Sequence, residues 1–244
     1  ARLRGLSYFT QKDLVKKVPL TQAFEMDLNA IAENIDANTK VIFICSPNNP
    51  TGNAMNRQDV ETILNNFNGL VVVDEAYVNF SRQHSMISEL TEYPNLVVLQ
   101  TFSKAWGLAG IRLGMAFGSL PFIEIMNKVK PPYNISQLTQ DAALAALENV
   151  EQVNDWIRQT VAARSQLAQE LSKLSAVAKV YPSDANFLLV KIQDASTVYA
   201  QLTEMGIIVR DRSRVILCDD CLRITIGTND ENNTLLNALQ KITN

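Results

Sequence analysis

Three short apolar runs in the first half of the chain contain almost no polar residue. They occupy residues 41–45, 70–73 and 96–99 and consist of aliphatic or aromatic side chains with one cysteine. Strands buried on both faces of a parallel sheet have this composition. Residues 56–66, between the first two runs, have the pattern of a crossover helix. Strand–helix–strand alternation predicts an α/β layer with a mostly parallel sheet.

The second half of the chain has a different pattern. Residues 137–149 and 151–174 have the spacing of helices, and the second is long and amphipathic. The shorter segments that follow indicate an α+β unit. We therefore expect a large α/β domain over residues 1–160 and a small α+β domain over residues 161–244, with the boundary inside the long helix. The small domain's predicted strands cover 177–181, 187–192, 207–210 and 222–226, and its predicted helices cover 196–205 and 230–242.

Composition narrows the classes of function. The chain has 244 residues, 47% of them hydrophobic and 19% charged, as in ordinary globular proteins. The net charge of −3 and the scattered basic residues argue against a nucleic-acid or anionic-membrane partner. No segment approaches the roughly 20 apolar residues that cross a bilayer. Three cysteines are too few for a disulfide scaffold, which predicts a cytoplasmic protein.

Each of the three predicted strands runs directly into polar residues. The first is followed by Ser-Pro-Asn-Asn-Pro-Thr-Gly at 46–52, the second by Asp-Glu-Ala-Tyr at 74–77, and the third by Gln-Thr-Phe-Ser-Lys at 100–104. In open α/β sheets, ligands bind outside the carboxyl ends of the strands. The sequence therefore predicts a functional site at this edge of the sheet.

Lys104 is the candidate nucleophile. A lysine just past a buried strand is partly desolvated, which favours the neutral amine that can form a Schiff base with an aldehyde. Ser103 offers a hydroxyl, and Arg112, in a glycine-rich run, offers a fork of donors suited to a phosphate. Taken alone, Lys104 would more often be a solvated loop residue, and the glycine-rich run a turn with a surface arginine.

Asp74, Tyr77 and Asn49 are further candidates at the same edge. Asp74 follows three valines, and a carboxylate there needs a cationic partner such as the protonated nitrogen of a pyridine ring. Tyr77 could donate to a ring oxygen, and Asn49 is held by the following proline, where a cis bond is possible. The alternatives are a helix-capping aspartate, a core tyrosine and a plain turn.

The ordered set of motifs resembles the fold-type I enzymes that use pyridoxal phosphate, within aminotransferase class I and II, over roughly residues 20–244. The motifs are those at 46–52 and 74–77, then Ser-Lys at 103–104 and Gly-x-Arg-x-Gly at 110–114. The resemblance implies that Lys104 binds pyridoxal 5'-phosphate covalently and shuttles a proton, while Asp74 pairs with the ring nitrogen. It implies four further cofactor contacts: Asn49 and Tyr77 to the ring's 3-oxygen, and Ser103 and Arg112 to the phosphate.

Two arginines near the C-terminus refine the resemblance. Cys-Leu-Arg-Ile-Thr-Ile-Gly at 221–227 is similar to the segment whose arginine, here Arg223, binds the substrate α-carboxylate. Together with Arg210 it resembles the histidinol-phosphate aminotransferase subfamily, in which the earlier arginine helps bind the substrate phosphate. The implied reaction moves an amino group between L-histidinol phosphate and 2-oxoglutarate, in a homodimer. The simpler role for Arg210 is a surface salt bridge with Asp211 or Asp220.

Two other functions stay open at this point. A threonine-phosphate decarboxylase-like enzyme would use the same lysine, aspartate and arginines. A non-catalytic binding module would follow if the chain is truncated, because the family's upstream glycine-rich turn, ring-stacking aromatic and partner-donated tyrosine are not evident, and residues 1–14 match nothing. No metal site is expected, because Cys218 and Cys221 would need two more ligands and the only histidine is His84.

Overall fold

The computed structural model describes residues 15–243. The first sheet has the strand order β1-β2-β3-β4, which is the order of the strands in the chain. Neighbouring pairs among the first three strands are parallel, and β4 runs antiparallel to β3. The predicted mostly parallel sheet is therefore confirmed. The strands are β1 (Val41–Cys45), β2 (Leu70–Asp74), β3 (Leu96–Thr101) and β4 (Gly114–Gly118).

In residues 15–243, five α-helices precede the second sheet in the chain, and three of them begin at a side chain that caps the helix. Asp27 accepts a hydrogen bond from the Ala30 amide, and Asn56 caps the crossover helix by accepting from the Gln58 amide. Ser136 caps a later helix in the same way. The helices are α1 (Leu28–Asn34), α2 (Arg57–Asn66), α3 (Leu120–Val129), α4 (Gln137–Leu147) and α5 (Val150–Leu171).

The second sheet is antiparallel, with the order β5-β6-β8-β7. One face packs against α5 and two later helices, and its core includes Leu188, Val190, Leu222 and Ile224. The α+β character predicted for this part of the chain is therefore observed. The elements are β5 (Val177–Val180), β6 (Phe187–Ile192), β7 (Arg210–Asp211), β8 (Cys221–Thr225), α6 (Ala195–Glu204) and α7 (Asn229–Thr243).

The predicted strand at 207–210 is wrong for most of its length, because β7 covers only Arg210–Asp211. The Ile207 amide instead donates to the Leu202 carbonyl, at the C-terminal end of α6. This amide is therefore not available to pair with a neighbouring strand. Three elements were not predicted from the pattern: α1, α3 and β4. The last of these begins and ends at glycine, a residue that gives no strand signal.

The proposed domain boundary near residue 160 lies within α5, which is continuous from Val150 to Leu171. The first 14 residues of the proposed large domain, and residue 244 of the small one, lie outside the described residues. Among residues 15–243, no helix combines the length and the apolar character that crossing a membrane requires.

Candidate active site

The carboxyl ends of the three parallel strands lie side by side, as the sequence predicted. Cys45 is the register partner of Asp74, and the Glu75 amide donates a 2.8 Å hydrogen bond to the carbonyl of Leu99 on β3. The polar segments that follow the strands therefore leave the sheet at one edge. This arrangement positions the side chains of the candidate site.

The segment after β1 is a closed turn. The Asn48 amide donates to the Asn53 carbonyl, and the Gly52 amide donates back to the Asn48 carbonyl, each at 2.8 Å. The Asn49–Pro50 bond is cis, as considered from the sequence, and so is Ser46–Pro47. The turn presents the Asn49 side chain to two other elements.

Asn49 joins Tyr77 to Arg223. Its Nδ2 donates to the Tyr77 hydroxyl at 3.4 Å, and its Oδ1 accepts from Nη1 of Arg223 at 2.9 Å. Phe187 packs beside them: its ring lies edge-on to Tyr77 at 5.2 Å, and the Arg223 guanidinium carbon lies 5.0 Å from its centroid. Residues from both sheets therefore meet around one asparagine.

Lys104 reaches the same cluster from the end of β3. Its Nζ lies 5.3 Å from the centroid of the Tyr77 ring. Among residues 15–243 this ammonium group has no salt bridge and no hydrogen bond to a protein acceptor. The lysine predicted to be the nucleophile is thus held near a phenol with its amine available.

Arg223 is a half-buried cation whose Nε has no hydrogen-bond partner among the described residues. Burial lowers the pKa of its guanidinium; nearby Tyr77 opposes the shift, while repulsion from Arg212 and Arg210 adds to it. The Nε atom itself is buried. A buried, unpartnered guanidinium nitrogen is costly unless an anion binds it. The site is therefore suited to a carboxylate or a phosphate.

Asp74 is half-buried at the end of β2. Its Oδ1 accepts a 3.0 Å hydrogen bond from the Ala76 amide, and no lysine or arginine of the described part of the chain forms a salt bridge with it. Asp74 is the last residue of β2, and Tyr77 follows three residues later. No hydrogen bond joins their side chains in the described part of the chain. The carboxylate can still accept a cationic group from a ligand.

Ser103 and Arg112 lie just beyond the last paired positions of β3 and β4. Thr101 pairs with Gly114, and the Phe102 amide donates to the Leu113 carbonyl, so Ser103 and Arg112 are the next residues outward. Arg112 is exposed, and its Nη1 donates to the Ala109 carbonyl at 2.9 Å. Both residues of the predicted pair are therefore near the end of β3, where Lys104 also lies.

Arg210 lies directly opposite Arg223 across β7 and β8. Its side chain is exposed, and Nη1 donates to the Val209 carbonyl at 3.1 Å. The alternative role considered for Arg210, a salt bridge with Asp211 or Asp220, is not formed between these described residues. All eight predicted site residues therefore lie at the strand ends of the first sheet or on the facing strands of the second.

Two residues of the site were not found by sequence reasoning. Phe187 begins the predicted strand at 187–192, and nothing in that apolar pattern indicates contact with Tyr77 and Arg223. Arg212 could be found from the sequence, because it lies two residues after Arg210 and this spacing places both side chains on one face of a strand. Among residues 15–243, no group of three histidine, cysteine or acidic side chains is placed to hold a metal ion.

Similar proteins share both the sequence and the fold. A histidinol-phosphate aminotransferase of Cytophaga hutchinsonii is 52% identical over 223 residues, which are 91% of this chain and 64% of that protein. A histidinol-phosphate aminotransferase of Sinorhizobium meliloti, solved in complex with pyridoxal-5'-phosphate, superposes with a TM-score of 0.83 at 25% identity, over 93% of this chain and 64% of that one. A decarboxylase from Sulfurospirillum multivorans superposes with a TM-score of 0.81 at 26% identity, over 93% and 69%.

The chain spans about 65% of the length of the curated relatives that it matches. The model of the family described as aminotransferase class I and II matches residues 11–239, which include every residue of the candidate site. The structural likeness confirms the α/β architecture of this group. The chain therefore belongs to the aminotransferase class I and II family.

Proposed function

We propose that this chain forms the larger part of a pyridoxal-phosphate-dependent aminotransferase that moves an amino group between L-histidinol phosphate and 2-oxoglutarate. The observation that carries the proposal is the cluster in which Lys104 and Arg223 meet around Tyr77 and Asn49. An available amine and an unpartnered guanidinium in one place suit a substrate that carries both an amino group and a carboxylate. The relative with 52% identity supports the choice of reaction.

The residues present fit the cofactor. The carboxylate of Asp74 has no cationic side chain bound to it in the described part of the chain, so it can pair with a protonated ring nitrogen. Asn49 and Tyr77 offer hydrogen bonds for a ring oxygen, and Ser103 and Arg112 both lie near the end of β3, where a phosphate could bind. When bound, pyridoxal phosphate supplies an electron sink that stabilises negative charge at the substrate α-carbon.

The chain's own residues then have separate tasks. Lys104 holds the cofactor through its Nζ and afterwards moves the proton between two carbons as general base and general acid. Arg223 binds the α-carboxylate of glutamate through its unpartnered Nε, and Asn49 fixes the guanidinium by accepting from Nη1. Arg210, exposed on the neighbouring strand, binds the phosphate end of L-histidinol phosphate.

A titration with pyridoxal phosphate tests the proposal. We expect the purified chain to give a visible absorbance band that borohydride removes by fixing the cofactor to Lys104, which peptide mass mapping would locate. Lys104→Ala should lose the band, whereas Lys128→Ala, which removes an exposed lysine on α3, should keep it. A band that persists in Lys104→Ala would refute the assignment.

The reaction itself is separated from its alternative by product analysis. Transamination of L-histidinol phosphate consumes 2-oxoglutarate and yields glutamate, whereas a decarboxylase acting on threonine phosphate releases carbon dioxide. The structural likeness to a decarboxylase makes the second assay necessary. Glutamate formation with L-histidinol phosphate, absent in Lys104→Ala, is the expected result.

One feature favours a second candidate function, a non-catalytic binding module. Large apolar side chains are exposed on and around α3 and α4, including Tyr133 at 99%, Leu138 at 82% and Leu120 at 71%. Patches of this kind mark interaction surfaces. A chain that gives no cofactor band yet associates through this surface would support the binding module. The homodimer and the cytoplasmic location remain parts of the proposal.

A further inference from the structure

Arg212 lies beside the two predicted substrate arginines. Its amide donates a 2.8 Å hydrogen bond to the Cys221 carbonyl, which continues the pairing of Arg210 with Arg223 and of Asp211 with Leu222. Side chains two residues apart on a strand point to the same face. Arg212 therefore shares a face of the second sheet with Arg210 and, across the strands, with Arg223.

The side chain of Asp211 shows which face of the second sheet the three arginines share. Its carboxylate accepts hydrogen bonds from the hydroxyls of Ser196, on α6, and of Ser213, so it points to the helix-covered side of the sheet. Burial raises the pKa of Asp211, but these hydrogen bonds outweigh burial and lower the pKa overall. The arginines on either side of it must point the opposite way, toward the site that contains Asn49.

Within the described part of the chain, the three arginines lack carboxylate partners. Among residues 15–243 no salt bridge involves Arg210, Arg212 or Arg223. The Arg212 side chain is half-buried, and its one hydrogen bond, from Nη1 to the Asp211 carbonyl, is long at 3.5 Å. Like charges that share a surface without counterions favour an anion, and a phosphate offers close to two negative charges and three accepting oxygens.

We propose that Arg212 completes a three-arginine anion site with Arg210 and Arg223, and that Arg212 binds the phosphate end of a phosphorylated amino substrate. The inference rests on the proposed function for the identity of that substrate, but the site's affinity for phosphate can be tested without it. Arg223 takes the α-carboxylate of glutamate, and Arg210 and Arg212 together take the more highly charged phosphate of the phosphorylated substrate. Arg212 is thereby a residue that selects phosphorylated over unphosphorylated substrates.

Calorimetric titration with inorganic phosphate, and separately with acetate, tests the proposal. The parent protein is the 244-residue chain with Arg112→Gln, so that the predicted cofactor-phosphate site contributes little. Adding Arg212→Gln should weaken phosphate binding on the order of tenfold, and acetate binding less than about threefold, because a charge-assisted hydrogen bond to a dianion is lost. Arg212→Lys, which keeps the charge, should recover most of the affinity.

Arg214→Gln is the matched control, since Arg214 is exposed, carries the same charge and lies two residues further along. It should change phosphate affinity less than about twofold, because an exposed charge without direct contact is screened. Thermal melts followed by circular dichroism show whether each variant is folded. The proposal is overturned if the parent binds no phosphate, if Arg212→Gln binds it as the parent does, or if Arg214→Gln loses as much.

The inference and the proposed function can fail separately. In one outcome the chain gives a borohydride-reducible cofactor band, but its phosphate binding does not depend on Arg212. That result would support the proposed aminotransferase and refute the role of Arg212 in its site. Phosphate binding that depends on Arg212, in a chain that gives no cofactor band, would support the Arg212 anion site and refute the proposed aminotransferase.

Discussion

The guanidinium of Arg223, on β8, donates a 2.9 Å hydrogen bond to Oδ1 of Asn49, in the turn after β1. The contact joins two residues that are 174 positions apart and belong to different sheets. It places the predicted carboxylate-binding arginine next to the predicted cofactor-binding asparagine. The stability of the fold and the geometry of the site therefore depend on the same bond.

We expect this bond to appear as a coupling energy. In a double-mutant cycle with Asn49→Ala and Arg223→Met, the coupling energy measured by urea unfolding should be about 1–2 kcal/mol. Each single variant already removes the hydrogen bond to the half-buried charge, so the double variant cannot lose it a second time. Asn66→Ala, an exposed asparagine at the end of α2, should instead be additive with Arg223→Met. Additivity of the Asn49 pair would show that the two sheets are not held together here.

The turn around Gly52 gives a second prediction. Gly52 has φ +87°, and a Cβ added there would lie 2.6 Å from the Ser183 hydroxyl oxygen. That oxygen is held by a hydrogen bond to the Phe187 carbonyl, so it cannot move without losing the bond. Gly52→Ala should lower the free energy of unfolding by about 2–4 kcal/mol, from backbone strain and overpacking together.

Gly206→Ala separates the two contributions. Gly206 has a similar φ of +79°, but a Cβ there meets nothing within 4 Å. This variant should cost only the backbone strain, about 1 kcal/mol. Equal losses for both alanine variants in urea unfolding would mean that the contact with Ser183 contributes nothing.

The strand ends show why much of the site was predictable from sequence. Asp74 and Lys104 each follow a buried strand, and parallel strands must deliver such residues to one edge whatever the details of the loops. The meeting of Asn49 with Arg223 was not predictable by that reasoning, because it depends on how the second sheet packs against the first. Strand β4 escaped prediction because its pairing with β3, and not its glycine-bounded sequence, makes it a strand.

A third prediction concerns Arg164, a buried arginine of α5 with 6% of its surface exposed. Its Nη1 donates to the carbonyls of Phe80 at 3.1 Å and of Ala185 at 2.7 Å, which ties the loop after β2 to the segment before β6. Burial lowers the pKa of its guanidinium, nearby Asp184 opposes this shift, and Arg82 adds to it. Arg164→Met removes an uncompensated buried charge but leaves two carbonyl groups without a donor.

We expect the unpaired carbonyl groups to dominate, so that Arg164→Met lowers the free energy of unfolding by about 2 kcal/mol. Arg158→Met on the same helix is the control, since Arg158 is exposed and forms only a surface pair with Asp155 at 3.3 Å. That variant should cost less than about 0.5 kcal/mol in the same urea titration. A stabilised Arg164→Met would mean that the desolvated charge outweighs its hydrogen bonds.

A fourth prediction concerns the thiol of Cys221, which is fully buried at the first position of β8. Burial, with a smaller contribution from Cys218, raises its pKa from 9.0 to about 12. Because the thiolate is the reactive form, iodoacetamide at pH 8 should label Cys221 at least about a hundredfold more slowly in the native chain than in urea. Tryptic mass mapping over time gives both rates.

The same shift has a consequence for stability at high pH. The unfolded thiol ionises from about pH 9 and the native one only near 12, so the unfolded state binds fewer protons between these values. The contribution of Cys221 to the free energy of unfolding is therefore fully present below pH 9 and is lost as the pH rises toward 12. Cys221→Ala should show a shallower alkaline decline than the unmodified chain. Identical slopes in urea titrations from pH 8 to pH 11 would show that the native thiol ionises as freely as the unfolded one.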